Sequence, residues 1–265
     1  MNPGGKGANQ AVAAARLGGQ VHFICKVGQD VFGDMARQQF ITEGIHTDYV
    51  ISDPNLPSGV ALINVDALGE NSITVASGAN GNLGIVDIEQ ADALFQVGDI
   101  LLIQLEIPLE TVWHTIKKAH NKGVKVILNP APAAEIPDEI YPYLFALTPN
   151  ETETELLTGI EVNSLGKAQE AATILLNKGV AHMLITMGSQ GAYYQSAETK
   201  NFFPTKQVQA IDTTAAGDCF NGALAVALSN HSNWEDAIPF ACAAATISVT
   251  RPGAQASMPS LAELS

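Results

Sequence analysis

Ile100-Leu101-Leu102-Ile103-Gln104-Leu105, then Leu109 to Lys122, then Val124-Lys125-Val126-Ile127-Leu128 is the stretch on which the fold turns. Two apolar runs of strand length enclose an amphipathic segment of helical length, the pattern of strand, crossover helix and strand. Such a unit predicts parallel pairing. Outward from it the rhythm repeats. Apolar runs at Val21 to Val27, Leu144 to Leu147 and Met183 to Thr186 are further candidate strands. Gln10 to Leu17, Ile88 to Gln96, Glu151 to Leu157, Leu165 to Lys178, Asp218 to Ser229 and Trp234 to Val249 are candidate helices. The alternation predicts one α/β domain over residues 1–265, with a mainly parallel sheet covered on both faces. Gly59 to Val65 and Ser72 to Ala76 break the rhythm, because both are β-rich with no helix between them. They predict a hairpin over 58–77 that turns at Leu68 to Asn71, either a flap over a site or an extra pair of edge strands.

Bulk properties exclude several classes. A hydrophobic content of 46% over 265 residues is ample for a core. No run approaches the ~18 apolar residues of a membrane helix. A formal charge of −14 opposes broad phosphate-backbone binding, so no nucleic-acid partner is expected. Cys25, Cys219 and Cys242 are far apart and predict neither a disulfide framework nor a zinc site. The start, Met1-Asn2-Pro3-Gly4-Gly5-Lys6, has no leader pattern, so a reducing cytoplasm is the expected setting. The six histidines form no metal motif in sequence and read as surface or packing residues.

In open α/β sheets ligands settle at the carboxyl ends of strands. Those ends are polar here: Gln104-Leu105-Glu106, Asn129-Pro130, Thr148-Pro149-Asn150-Glu151, and Thr186-Met187-Gly188-Ser189-Gln190-Gly191. The last could equally be a strand-to-strand turn. Asp212-Thr213-Thr214-Ala215-Ala216-Gly217-Asp218 is a small-residue turn entering a helix, where unpaired N–H groups favour an anion. Asp218 in the first turn could accept a proton from an attacking hydroxyl, although an Asp there is also a common helix cap. Gly4-Gly5-Lys6-Gly7-Ala8-Asn9 supplies flexible backbone, one cation and one amide, suited to sugar hydroxyls or a phosphate. It is neither a Walker A loop nor a dinucleotide fingerprint. Asn150 and Glu153 lie one helical turn apart and could address hydrated Mg²⁺, or could close an N-terminal cap.

Together these segments resemble the PfkB carbohydrate kinase family. Gly4 to Ala11 looks like its first signature, and Asp212-Thr213-Thr214-Ala215-Ala216-Gly217-Asp218-Cys219-Phe220-Asn221-Gly222 like its second. Gln104 to Pro108, Asn129 to Pro132 and Thr250 to Gln255 are similar to the ribokinase branch. The resemblance implies a ribokinase-like three-layer α/β/α fold with a small β lid. It implies ATP-dependent phosphorylation of D-ribose to D-ribose 5-phosphate; related acceptors in the family are fructose, deoxyribose and nucleosides. By it Asp218 is the base, and the amides of Ala215, Ala216 and Gly217 form the anion hole. Gly5, Lys6, Gly7, Ala8, Asn9 and Glu106 line the sugar site. Asn150, Thr186, Met187, Gly188, Ser189, Gln190, Gly191, Gly217 and Cys242 hold ATP, with Glu153 on Mg²⁺ through water. Asp212, Thr214, Ser248, Arg251, Gly253 and Ser257 hold K⁺, mostly through backbone oxygens, and the hairpin joins a homodimer. Family members carry a strand ending in Asn-x-Asp, then lid strands, ahead of the glycine-rich loop. Neither is in this sequence, which predicts an unpaired sheet edge and leaves one alternative to the active kinase, a truncated remnant that binds nucleotide without turning over.

Overall fold

The computed structural model describes residues 3–65 and 71–264. In chain order the elements are α1 (Lys6–Arg16), β1 (Cys25–Gly28), α2 (Val31–Thr42), β2 (Val50–Asp53), β3 (Val60–Val65), β4 (Asn71–Ala76), α3 (Ile85–Gln90), β5 (Ile100–Ile103), α4 (Leu109–Asn121) and β6 (Lys125–Leu128). There follow β7 (Ala146–Leu147), α5 (Glu151–Thr158), α6 (Leu165–Asn177), β8 (His182–Thr186), β9 (Gly191–Ser196), β10 (Lys200–Pro204), α7 (Ala216–Ser229) and α8 (Trp234–Ser248). The main sheet runs β10-β9-β8-β7-β6-β5; β5 to β8 pair in parallel, and β9 and β10 are antiparallel.

Alternation along the central strands builds the layers, since successive side chains leave a strand on opposite faces. Ile127 of β6 enters a core shared with α1, α7 and α8, whereas Val126 and Leu128 enter a second core with α4 and α6. Leu184 of β8 faces the first core, and Met183 and Ile185 the second. This is the three-layer α/β/α arrangement that the alternation predicted.

β1 and β2 form a separate parallel pair, and β3 and β4 the antiparallel hairpin. Thus β5 and β1 each have a sheet edge with no strand on it among the described residues. The expected turn at Leu68 to Asn71 falls largely outside those residues. The hairpin's root is fixed by Asp30, the N-cap of α2: its carboxylate accepts from the Ser58 amide (2.7 Å), the Ser58 hydroxyl (2.7 Å) and the Gly33 amide (2.8 Å).

Several boundaries differ from expectation. The run Val21 to Val27 is ladder-paired from Cys25 onward, with His22 making an isolated bridge to His46. The helix expected over Ile88 to Gln96 stops at Gln90 and gives way to a 3-10 turn at Asp92–Leu94. No helix among the described residues is long and apolar enough to cross a membrane.

Candidate active site

Lys6, Gly7, Ala8 and Asn9 are the first turn of α1, a correction to the expected loop. Gly5 provides the entry at φ 93°, a conformation that a Cβ disfavours. A Cβ on Gly7 would lie 3.0 Å from Gln104 Oε1, so this glycine lets α1 approach the end of β5. There the Lys6 amide donates to Glu106 Oε2 (2.7 Å).

Asp218 lies in the first turn of α7, buried at 6% exposure. Its Oδ2 accepts from Asn9 Nδ2 (2.8 Å) and its Oδ1 from Gln10 Nε2 (3.0 Å), which joins the two signature segments across the fold. Burial pushes its carboxyl above the ordinary aspartate value, against the pull of Asn9, Gln10 and the Lys6 charge. Burial likewise raises Glu106 and Glu153, and both also feel the charges of Lys6 and Asp218. Lys6 and Asp218 thus lie within electrostatic reach of both Glu106 and Glu153. Asn9 Oδ1 is a buried acceptor with no donor among the described residues.

The turn before Asp218 has a strained residue: Ala215, the N-cap of α7, sits at φ 60°, costing about 1–2 kcal/mol for a residue with a Cβ. The Ala216 amide turns inward to Thr213 O (3.2 Å). Among the described residues no protein acceptor takes the amides of Ala215, Gly217 or Asp218. The free donors at the helix tip are thus Ala215 and Gly217 with Asp218, rather than the expected run Ala215 to Gly217. A Cβ on Gly217 would meet no atom within 4 Å, so the space beside these amides is open.

Asp212 ties this turn to the loop after α8, accepting from the Thr214 amide (2.9 Å) and the Gly253 amide (2.8 Å). The hydroxyls of Ser248 and Ser257 donate to Ala245 O and Ala254 O, both at 2.8 Å. The Arg251 side chain pairs with Glu263, and its backbone amide donates to Ser248 O (3.2 Å). Gln255 Oε1, in the same loop, is a second buried acceptor without a donor among the described residues.

At the start of α5, Asn150 and Glu153 form a complete capping box, with the Asn150 amide donating to Glu153 Oε2 (2.9 Å) and the Glu153 amide to Asn150 Oδ1 (2.8 Å). Asn150 also bridges to Thr186. Thr186 to Gly191 connects the antiparallel strands β8 and β9, as the turn alternative held. Met187 is buried, so its side chain belongs to the core, and its backbone closes the turn, its amide donating to Gly191 O (2.8 Å) and its carbonyl accepting from the Gln190 amide (2.9 Å). Cys242 is buried in α8, with its thiol pushed up to about 11 by desolvation.

Sequence reading missed Gln10 and Asn221 as site residues. Asn221 carried a signal, since it lies three residues beyond Asp218 on the same helical face. It also missed that His22, His46 and Asp48 come together, all exposed, with ligand atoms within 4.8 Å of one another. A pocket of about 450 Å³ at the hairpin root, lined by Asp30, Phe32, Ser58 and Val60 among others, contains none of the Asp218 cluster.

Comparisons with known proteins identify the family and agree with the fold. The family model described as "pfkB family carbohydrate kinase" matches residues 1–261. Ribokinase of Haemophilus influenzae is 45% identical over 98% of this chain and 85% of its own length. Deoxyribokinase of Salmonella typhi is 40% identical over 97% of this chain and 85% of its own. The structure of Arabidopsis thaliana ribokinase complexed with ribose and ATP superposes with a TM-score of 0.90 at 33% identity, covering 98% of this chain and 86% of that one.

Proposed function

The chain belongs to the pfkB family of carbohydrate kinases, and from that membership we propose that it transfers the γ-phosphoryl group of ATP to the primary hydroxyl of D-ribose, giving ADP and D-ribose 5-phosphate. The observation that carries this reading is the buried Asp218 beside open helix-tip amides and an orphaned Asn9 oxygen. Asp218 takes the hydroxyl proton as the alcohol oxygen bonds to the γ-phosphorus and the bond to ADP breaks. The free amides of Ala215, Gly217 and Asp218 receive the charge that develops on the migrating group. Asn9 Oδ1 and the Glu106 carboxylate accept sugar hydroxyls, with Gly5 and Lys6 shaping the same wall. Asn150, the backbone of Thr186 to Gly191 and the packing surface of Cys242 hold the nucleotide.

The residues fit the ions that the family resemblance implies. Glu153 keeps one carboxylate oxygen free of its cap among the described residues, suited to hydrated Mg²⁺ beside the phosphates. Backbone oxygens of Thr214, Ser248, Arg251, Gly253 and Ser257, with Asp212 and the donorless Gln255 Oε1 nearby, suit K⁺. Bound there, the ions supply charge neutralisation for the phosphates and rigidity for the turn. The hairpin acts as a lid over the sugar and joins a homodimer, in keeping with its exposed Val60 and Val75. Three buried free cysteines accord with a reducing cytoplasm.

2-Deoxyribose is the competing acceptor, favoured by the likeness to the Salmonella typhi deoxyribokinase. Coupled ADP release over ribose, 2-deoxyribose, fructose and adenosine decides between them. Ribose is expected to give the highest kcat/KM, and another acceptor exceeding it overturns the choice. Asp218→Asn is expected to lower kcat by about 10²-fold or more; near-normal turnover removes the base from the mechanism.

A further inference from the structure

Gln10, Asn129, Thr148 and Asn221 are four polar side chains with exposures of 1%, 7%, 1% and 1%, and none is assigned to a ligand above. They are joined end to end. Gln104 Nε2 donates to Gln10 Oε1, which fixes the Gln10 nitrogen toward the interior. Its two hydrogens then go to Asp218 Oδ1 and Asn129 Oδ1, each at 3.0 Å. Asn129 Nδ2 donates to Thr148 O (3.2 Å), and the Thr148 hydroxyl donates to Asn221 Oδ1 (2.6 Å). Asn221 Nδ2 closes the circuit by donating to Gly217 O (2.8 Å). That carbonyl shares its peptide plane with the Asp218 amide, one of the free donors at the tip of α7.

The circuit therefore grips Asp218 twice, by its carboxylate through Gln10 and by its peptide plane through Asn221. It draws on α1, the ends of β6 and β7, and α7, so it also ties the sheet to both signature segments. Buried polar groups stabilise little unless all are satisfied, and an apolar set of the same volume would serve packing as well. What directional bonds add is a fixed geometry.

We propose that Gln10, Asn129, Thr148 and Asn221 are positioning residues that hold the carboxylate and the helix-tip amides in one register for phosphoryl transfer. The inference rests on the kinase reading above. Thr148 is the point at which to cut the circuit, because valine keeps its shape and removes the hydroxyl, and Thr148 has no assigned ligand contact. In steady-state kinetics with ribose and Mg·ATP, Thr148→Val is expected to lower kcat roughly tenfold, the scale of a small misplacement of reacting groups. Both KM values should stay within about twofold. Thr148→Ser, which restores the hydroxyl, is expected to recover most of the lost turnover, whereas a packing role would leave serine no better than valine. Thermal melts check folding, and Thr148→Ala replaces valine if the latter does not fold. A folded Thr148→Val or Thr148→Ala enzyme with wild-type kcat overturns the proposal, as does a Thr148→Ser enzyme no faster than they are. A wild-type chain that releases no ADP with any acceptor instead sinks the kinase reading itself.

Discussion

Gly217 separates what the protein needs from what its substrate needs. A methyl there meets no protein atom within 4 Å, and alanine is the better helix former, so packing does not demand glycine. Gly217→Ala is therefore expected to leave the melting temperature unchanged or raise it. The same methyl would occupy the open space beside the free amides, and kcat/KM for ATP should fall by roughly 10- to 100-fold, near the scale for disturbing an anion-hole donor. A destabilised but fully active variant would reverse this reading. Asp218, Asn9 and Lys6 were legible in the sequence because each sits in a compact motif of small residues. The bond from Gln10 to Asp218 was not, because it joins residues 208 positions apart and no local spacing encodes it. The Ala216 amide was misread for a different reason. The left-handed turn at Ala215, which sends that amide inward, is available to any residue at a cost and leaves no compositional mark.

Among the elements, α4 was readable from its apolar stripe, and α2, which lacks one, was not. α4 has Val112, Ile116 and Ala119 facing inward at helical spacing, and its bounds came out within a residue. α2 was missed because it buries just Gly33 and Phe40 and leaves Val31 and Met35 exposed. β9 was missed because Gly191 to Tyr194 are buried on both faces, which erases the period of two. The short β1–Asp30–α2 passage has a further role, since Asp30 both caps α2 and holds the hairpin by Ser58. Asp30→Ala is expected to free the hairpin root, raise KM for the sugar several-fold through a looser lid, and leave KM for ATP near its original value. Kinetics alongside limited proteolysis of the hairpin provide the check; unchanged sugar KM with accelerated cleavage would mean that the hairpin is no lid.

For the molecule as a whole, charge sets a pH optimum of stability. Asp218, Glu106 and Glu153 are held above the ordinary carboxylate range chiefly by burial, so the folded chain binds these protons more tightly than the unfolded chain. Their contribution is full below the ordinary carboxylate values and is lost as pH rises through the folded ones. Glu263, lowered to about 2 chiefly by Arg251, and Asp212, lowered chiefly by Thr214, act oppositely: their contribution is lost as pH falls through their folded values. With a formal charge of −14 adding self-repulsion at neutral pH, the urea midpoint of the ligand-free protein is expected to be highest at about pH 5 and lower at pH 8. A midpoint that climbs steadily to pH 8 would contradict the assignment of these raised groups.

The strands that send alternate side chains into opposite cores have a mechanical meaning as well. Ile127 and Leu128 are neighbours on one backbone, yet each closes a different compartment, so the sheet is a wall with furniture bolted to both sides. Neither compartment can be emptied while the wall still stands, and the two halves of the molecule should melt as one.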